Sequence, residues 1–339
     1  MQLSFIIPTY NAADYISAAI HSIYNLQLNG NDFEIIVIND GSSDNTEDIL
    51  KSFSNRYNNF HYVNQNNSGA AMARNLGISL AKGEYVQFVD SDDFLNAKDY
   101  NYLIDALFNE QLDIIAFNKV DFKDYKECND SVENCRNAFS SNSEKCLTGE
   151  QYILNNLFQS SPVLYIYRRK FLTDNSLIFR NTRSCEDIDS TLKWILAANR
   201  IRFVNKNIYI INEREGSLSR TINFEFEANL LNAILEGTKV LETEKCINNP
   251  LLRQKICEYL ICPLLIQEHH LYNLRLSEIF KFCSRMKGIS RRIKKSLIFS
   301  HKFKKQERYL TLLATSSVSC TCYLMIKKLY LNVNSKRKS

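Results

Sequence analysis

Three carboxylates stand within four residues at Asp90-Ser91-Asp92-Asp93. Packed so closely they repel one another unless something cationic lies near. Oxygen donors of this kind select a hard divalent ion, Mg²⁺ or Mn²⁺, which also bridges phosphate oxygens. Such an ion would neutralise charge developing on a diphosphate leaving group. The competing reading is an acidic helix N-terminus, where the dipole favours aspartate anyway. A second acidic cluster, Ser184-Cys185-Glu186-Asp187-Ile188-Asp189, precedes Leu192, Trp194, Ile195 and Leu196. Ser184 and Asp187 have capping-box spacing, and spacing alone favours that cap. The functional alternative makes one carboxylate a general base for an acceptor hydroxyl. An aspartate pKa of roughly 4 would leave it ionised at neutral pH. Asp40, beside Gly41, either accepts hydrogen bonds from a base or ribose or serves the turn. Arg74 lies one turn into a helix opened by Gly69; it would reach a phosphate there or stand solvated.

The elements that must position these residues are legible as a pattern. Leu3–Ile7, Phe33–Ile38, Phe60–Val63, Tyr85–Val89 and Leu112–Phe117 are apolar runs of strand length. Between them, Tyr15, Ile16, Ala19, Ile20, Ile23 and Tyr24 recur at helical spacing. So do Ile49, Leu50, Phe53 and Tyr57, after a start signal at Asp44 and Glu47. Ser68-Gly69 opens a helix carrying Ala73, Leu76, Gly77 and Leu80, which Lys82 and Gly83 are expected to close. Strands alternating with helices predict an α/β fold, a doubly wound, mostly parallel sheet with helices on both faces. In such a sheet ligands bind beyond the carboxyl ends of the strands. Four polar clusters sit at such ends and so share one rim: Pro8-Thr9-Tyr10-Asn11, Asn39-Asp40-Gly41-Ser42, Asn66-Asn67-Ser68-Gly69 and Asp90-Ser91-Asp92-Asp93.

Residues 120–147 are polar and read as an excursion or an irregular hairpin. Val163–Tyr167 and Ile208–Ile211 read as further strands around a helix at about 187–199. From about residue 223 the pattern is helical. The charge is unevenly spread: residues 281–339 hold 16 Lys/Arg and one acid, a net of +15, against −10 for the remainder. A basic tail on an acidic body suggests contact with an anionic surface. Ten irregularly spaced cysteines without a CxxC pair point to free thiols, neither a zinc site nor a disulfide framework. Residues 3–7 are followed at once by Pro-Thr-Tyr-Asn and read as a buried strand, not a signal peptide. The charge-free stretch 309–326 is short for a span and carries six Ser/Thr hydroxyls.

Taken together, SFIIPTYN, EIIVINDGSSDNT, NNSGAAMARNLG and GEYVQFVDSDD make residues 1–120 resemble the nucleotide-sugar half of the family 2 glycosyltransferases, which have the GT-A fold. Weaker likeness continues through YIYRRKFL, CEDIDSTLKW and REGSLSR to about residue 221. The resemblance implies a glycosyltransferase domain over 1–221, its nucleotide-sugar half at 1–120 and its acceptor half at 121–221. A helical basic region, 222–339, follows. Pro8, Thr9, Asn11 and Asp40 would line the nucleotide site, with Asn67 and Arg74 near the nucleotide or its phosphates. Asp90 and Asp92, flanking Ser91, match the DxD motif and would touch ribose, diphosphate and a Mn²⁺ or Mg²⁺ ion. Glu186-Asp187 matches the ED pair, with Glu186 among the nucleotide-sugar-binding residues and Asp187 in the base position. Arg214 and Ser217 match a loop that often closes over the diphosphate. Asn39 stands where the family commonly has Asp, and the QxxRW motif of processive synthases is missing.

The expected reaction is inverting transfer of a sugar from a nucleotide-diphosphate-sugar, with UDP favoured, to a hydroxyl of a growing bacterial surface glycan or lipid-linked acceptor. The expected setting is cytoplasmic and peripheral, on the inner face of the cell membrane, with the basic region on its anionic surface. Nucleic acid is not an expected partner. Two rivals remain. A nucleotidyltransferase on a similar sheet would want a Gly-rich, basic loop after the first strand, where this chain has Thr9-Tyr10-Asn11-Ala12-Ala13-Asp14. A non-catalytic binding relic has no evident need of both acidic clusters.

Overall fold

The structure, a computed structural model, describes residues 2–26, 28–122, 145–212, 224–264, 275–315 and 324. The chain divides into two compact units, Met1–Glu215 and Gly216–Ser339. In the first unit the elements run β1 (Leu3–Thr9), α1 (Ile16–Tyr24), β2 (Phe33–Asn39), α2 (Thr46–Arg56), β3 (Phe60–Asn64), α3 (Ala70–Leu80) and β4 (Tyr85–Phe88). They continue with β5 (Phe94–Leu95), α4 (Tyr100–Glu110), β6 (Ile114–Asp121), α5 (Gly149–Leu154), β7 (Tyr165–Arg168), α6 (Arg169–Asp174), α7 (Glu186–Ala197) and β8 (Ile201–Ile211). Among the described residues these strands form one sheet, ordered β3-β2-β1-β4-β7-β6-β8-β5. Pairing is parallel for β1–β2, β1–β4, β2–β3 and β6–β8. It is antiparallel for β4–β7, β6–β7 and β5–β8.

The apolar runs explain the placement. Every residue of β1 and β2 is buried, as expected of strands covered on both faces. Helix α1 turns Ile16, Ala19, Ile20 and Ile23 inward, spaced i, i+3, i+4, i+7. Helix α3 sits hard against β1: a Cβ at Gly77 would lie 2.2 Å from Ile6 Cγ2. Any larger residue there would push the helix away from the strand whose end builds the rim.

Several boundaries differ from the sequence reading. Helix α3 ends at Leu80, with Ala81 extended as its C-cap, so Lys82-Gly83 does not close it. Gly83 serves a close approach instead, since a Cβ there would meet the backbone of Leu3 and Ser4 at 2.6 Å. Helix α2 starts after Asn45, while Asp44 accepts bonds from Thr46 and from the Ala13 N–H. Strand β8 runs from Ile201, well before Ile208, because pairing to β6 continues through a bulge at the polar Asn205-Lys206-Asn207. Strand β7 begins at Tyr165, since Pro162–Leu164 forms a 3₁₀ turn. Most of the polar excursion, residues 123–144, lies outside the described residues.

In the second unit the helices are α8 (Phe224–Thr238), α9 (Glu244–Ile247), α10 (Pro250–Ile261), α11 (Leu276–Ser296) and α12 (Lys304–Thr315). Helix α11 packs on α8 and α12. It buries Ile279, Phe282, Cys283, Met286 and Ile293 and exposes Lys281, Arg285, Arg291, Arg292 and Lys295. No helix among the described residues is long and apolar enough to cross a membrane.

Candidate active site

The first four strands deliver their ends to one rim. Thr9 is level with Asn39, and Asn39 with Asn64. Beside them β4 runs parallel to β1, with Ile6 level with Phe88. All four polar clusters therefore follow strand ends on the same edge. Pro8 and Thr9 are buried in the last turn of β1, Thr9 at 2% exposure.

The loops beyond these strands are tied to one another. Asn11, at φ 46°, donates its N–H to Ser42 Oγ at 2.9 Å and accepts from the Ser43 N–H at 2.8 Å. Asp40 accepts three bonds: Gln65 Nε2 and the Ser68 N–H at 2.7 Å each, and the Gly69 N–H at 2.8 Å. A carboxylate offers about four acceptor positions, so this leaves little of Asp40 uncommitted. Its visible work is to fix the loop that opens α3, a larger task than the turn at Gly41 that the sequence suggested. Asn67 lies exposed on that loop. Gly69, at φ +89°, is the N-cap of α3; a Cβ on it would stand 3.5 Å from Thr182 O and Arg183 Cα.

At the end of β4, the Asp90 N–H donates to Tyr209 Oη at 3.0 Å. The Tyr209 side chain also bonds Asp93, and Asp93 accepts the Asn212 N–H at 2.9 Å. Strand β8 thus holds the acidic loop, brought there by β5–β8 pairing, Phe94 against Ile210. Ser91 is buried at 8% exposure and Asp92 half-buried. Burial pushes Asp93 up to about 8, and the neighbouring charges of Asp90 and Asp92 add to it. Burial and the like charges of Asp90 and Asp92 thus favour the neutral form of Asp93.

Arg74 meets the charge of Asp90 and of Glu186. Its Nη2 donates to Asp90 Oδ1 at 2.9 Å and its Nη1 to Glu186 Oε1 at 2.6 Å. The guanidinium side chain is 8% exposed and lies 5.5 Å from the Phe179 ring centre. Both carboxylates hold the arginine more firmly protonated. Arg74 is thus a buried bridge joining two acidic clusters, one of them reached across 112 positions of sequence, not a solvated helix residue.

Helix α7 starts at Glu186, and its N-cap is Cys185 at φ 59°, without a side-chain cap bond. The helix N-cap is therefore Cys185 and not Ser184, which the capping-box spacing suggested. Asp187 is half-buried by surface exposure, and burial raises its pKa to about 7. The negative charges of Glu186 and Asp90 push the same way, and Arg74 opposes them. The ordinary value of roughly 4, expected from a helix N-terminus, is overridden because desolvation outweighs the dipole here. Asp189 is 1% exposed in its side chain and paired to Lys193 at 2.8 Å and Arg180 at 3.4 Å, a structural ion pair. Sequence reasoning gave no role to Tyr209, Asn75 or Phe179; only Asn75 stood inside a recognised motif, next to Arg74.

Among the described residues no group of three His, Cys, Asp or Glu side chains could by itself hold a metal ion. Magnesium-like ions on diphosphate substrates need less, since they take one or two carboxylates and complete their shell with phosphate and water. The partly exposed carboxylates of Asp92 and Asp90 fit that donor set. Arg214 and Ser217 lie outside the described residues.

A parallel αβ rim carrying this acidic loop, faced by a helix that opens with Glu-Asp, is the architecture of the GT-A glycosyltransferases. Residues 4–172 match the glycosyl transferase family 2 model, and the chain belongs to that family. Glycosyltransferase GlyG of Streptococcus pneumoniae is 29% identical over 246 residues, 69% of this chain and 77% of that protein. The glycosyltransferase YibD of Escherichia coli is 32% identical over 225 residues, 65% of this chain and 63% of that one. The poly(ribitol-phosphate) beta-N-acetylglucosaminyltransferase TarS of Staphylococcus aureus is 31% identical over 224 residues, 64% of this chain but 36% of its own length. In fold, the crystal structure of TarS 1–349 in complex with UDP-GlcNAc superposes with a TM-score of 0.72 at 22% identity, covering 98% of this chain and 92% of that one.

Proposed function

We propose that the chain transfers a sugar from a nucleotide-diphosphate-sugar, UDP-linked, to a hydroxyl of a surface glycan or lipid-linked acceptor, with inversion at the anomeric carbon. One observation carries this reading: Arg74 joins Asp90 of the acidic loop to Glu186, the neighbour of Asp187, at a single rim. The acidic loop and the start of the helix that carries Asp187 are thereby held at one place. The relatives' printed activities and the UDP-GlcNAc bound to TarS 1–349 support the substrate class.

Asp187 is the base in this account. Its carboxylate takes the proton of the acceptor hydroxyl as that oxygen bonds to the anomeric carbon. The bond from that carbon to the diphosphate oxygen breaks, and its electron pair leaves with the nucleoside diphosphate. A pKa of about 7 suits the task, because a base is most effective when its pKa lies near the operating pH. Pro8, Thr9, Asn11, Asp40 and Asn67 form the nucleotide side of the rim. Asp92 and Asp90 would hold a Mn²⁺ or Mg²⁺ ion, which supplies positive charge for the departing diphosphate. Arg214 and Ser217 complete the proposed donor set. Residues 1–221 act as the transferase domain, and 222–339 as a basic region.

We place the protein at the cytoplasmic face of the membrane on the strength of α11, whose exposed side carries Lys281, Arg285, Arg292 and Lys295. Basic side chains near an anionic leaflet contribute on the order of 1 kcal/mol each. Thermal-shift screening of a donor panel with Mn²⁺, followed by product analysis, tests the function. Stabilisation by a UDP-sugar and release of UDP on adding acceptor support it; sugar-nucleotide binding without turnover would leave a binding relic.

A further inference from the structure

The segment between α6 and α7, residues 175–185, carries no strand, yet it delivers Asp187 to the rim. Something other than sheet pairing must fix it. Asn75, the residue after Arg74 on α3, bonds the Phe179 backbone twice. Its Nδ2 donates to Phe179 O at 2.8 Å, and its Oδ1 accepts the Phe179 N–H at 2.9 Å. A side-chain amide that meets both polar groups of one residue imitates a strand partner and fixes register as well as distance.

The neighbouring contacts make this bond pair the pivot of the segment. The Phe179 ring packs 4.6 Å from Trp194 of α7 and 5.3 Å from Phe88 of β4, centre to centre. Arg180 reaches Asp189 of α7, and Gly69 at the start of α3 backs onto Thr182 and Arg183. A slip of one residue at Phe179 would exchange its buried ring for Ile178, which is 65% exposed, or for Arg180.

We infer that Asn75 is a positioning residue: by clamping the Phe179 backbone to α3 it sets where Asp187 stands relative to the donor loop. It touches no reacting atom. The inference rests on the reading of Asp187 as the base. The donor loops keep ties of their own, Asp40 to Gln65, Ser68 and Gly69 and Tyr209 to Asp90 and Asp93, so loss of the clamp should spare donor binding. Misplacement of a catalytic group by about 1 Å costs on the order of 100-fold in rate.

The test compares Asn75→Leu, Asn75→Asp and Asn75→Gln with wild type in the full-length protein. Asp keeps the acceptor and loses the donor; Gln keeps both on a longer arm. Expected are a kcat lowered by roughly 10- to 100-fold in Leu, a smaller loss in Asp, partial recovery in Gln, and an unchanged KM for the sugar nucleotide. The acidic limb of kcat/KM, set by Asp187 among Glu186, Asp90 and Arg74, should also move down as the segment loosens and water reaches the carboxylate. Should Leu fail to fold, the Asp and Gln variants carry the comparison. An unchanged kcat and pH limb in variants that merely melt lower would overturn the clamp and leave a stability role. Asp187→Asn run alongside separates the two ideas: if it retains transfer, the base reading fails; if it is inactive while the Asn75 variants keep full kcat, only the clamp fails.

Discussion

Replacing Asp187 by Asn should abolish transfer and stabilise the fold, and the size of the second effect follows from the site. Burial and the charges of Glu186 and Asp90 raise the carboxyl from 3.8 to about 7. The folded protein therefore holds this proton more tightly than the unfolded chain does. Stability from this group is complete below about pH 4 and is lost as pH rises through 7. At 1.36 kcal/mol per unit, the raised pKa costs about 4 kcal/mol at pH 8 and about 2 kcal/mol at pH 5, relative to low pH. These are upper bounds, because Asp187 is half-buried and solvent screens part of the charge. Asparagine cannot ionise and escapes the cost. Melting of the variant and wild type at pH 5 and pH 8 reads the difference: the variant should gain several degrees at pH 8 and clearly less at pH 5. UDP affinity should stay within a few-fold. A variant that melts lower by the same amount at both pH values, with turnover retained, would support a helix-capping role and refute the base.

Four further outcomes follow from the same geometry. Arg74→Met leaves Asp90 and Glu186 unpaired and should destabilise by about 3–5 kcal/mol, as removal of one partner of a buried pair does; chemical denaturation measures this, and a loss under 1 kcal/mol would refute the bridge. Tyr209→Phe removes the hydroxyl shared by Asp93 and the Asp90 N–H and should cost about 1–3 kcal/mol together with a raised donor KM, read from melting and steady-state kinetics. Asp92→Asn should weaken UDP binding sharply in Mn²⁺, and isothermal titration showing equal wild-type affinity in EDTA would rule out the metal role. High-salt washing should release full-length protein from membranes; extraction by detergent alone, or a soluble protein at low salt, would remove the peripheral role of α11.

The nucleotide side of this site was readable in the sequence because it is local. Each polar cluster follows its own apolar run, and parallel pairing aligns the runs without further information, Thr9 with Asn39 and Asn39 with Asn64. What the sequence concealed depends on distant partners. The Arg74–Glu186 pair spans 112 positions and is made where α3 meets the start of α7. Likewise, Tyr209 reads as one residue of an apolar strand until β5–β8 pairing sets it under Asp90 and Asp93. Local rules misled at Ser184 and Asp187, where capping spacing was present but Cys185 in the left-handed region starts the helix. They misled again over the Asp187 pKa, since helix position is visible in sequence and desolvation is not.

Single-displacement sugar transfer at this rim is read by NMR analysis of the product. Incubation with an α-linked UDP-sugar, Mn²⁺ and a hydroxyl acceptor should release one UDP per sugar moved and give a β-linked product, with neither formed by Asp187→Asn. An α-linked product, or release of pyrophosphate in place of UDP, would contradict the account.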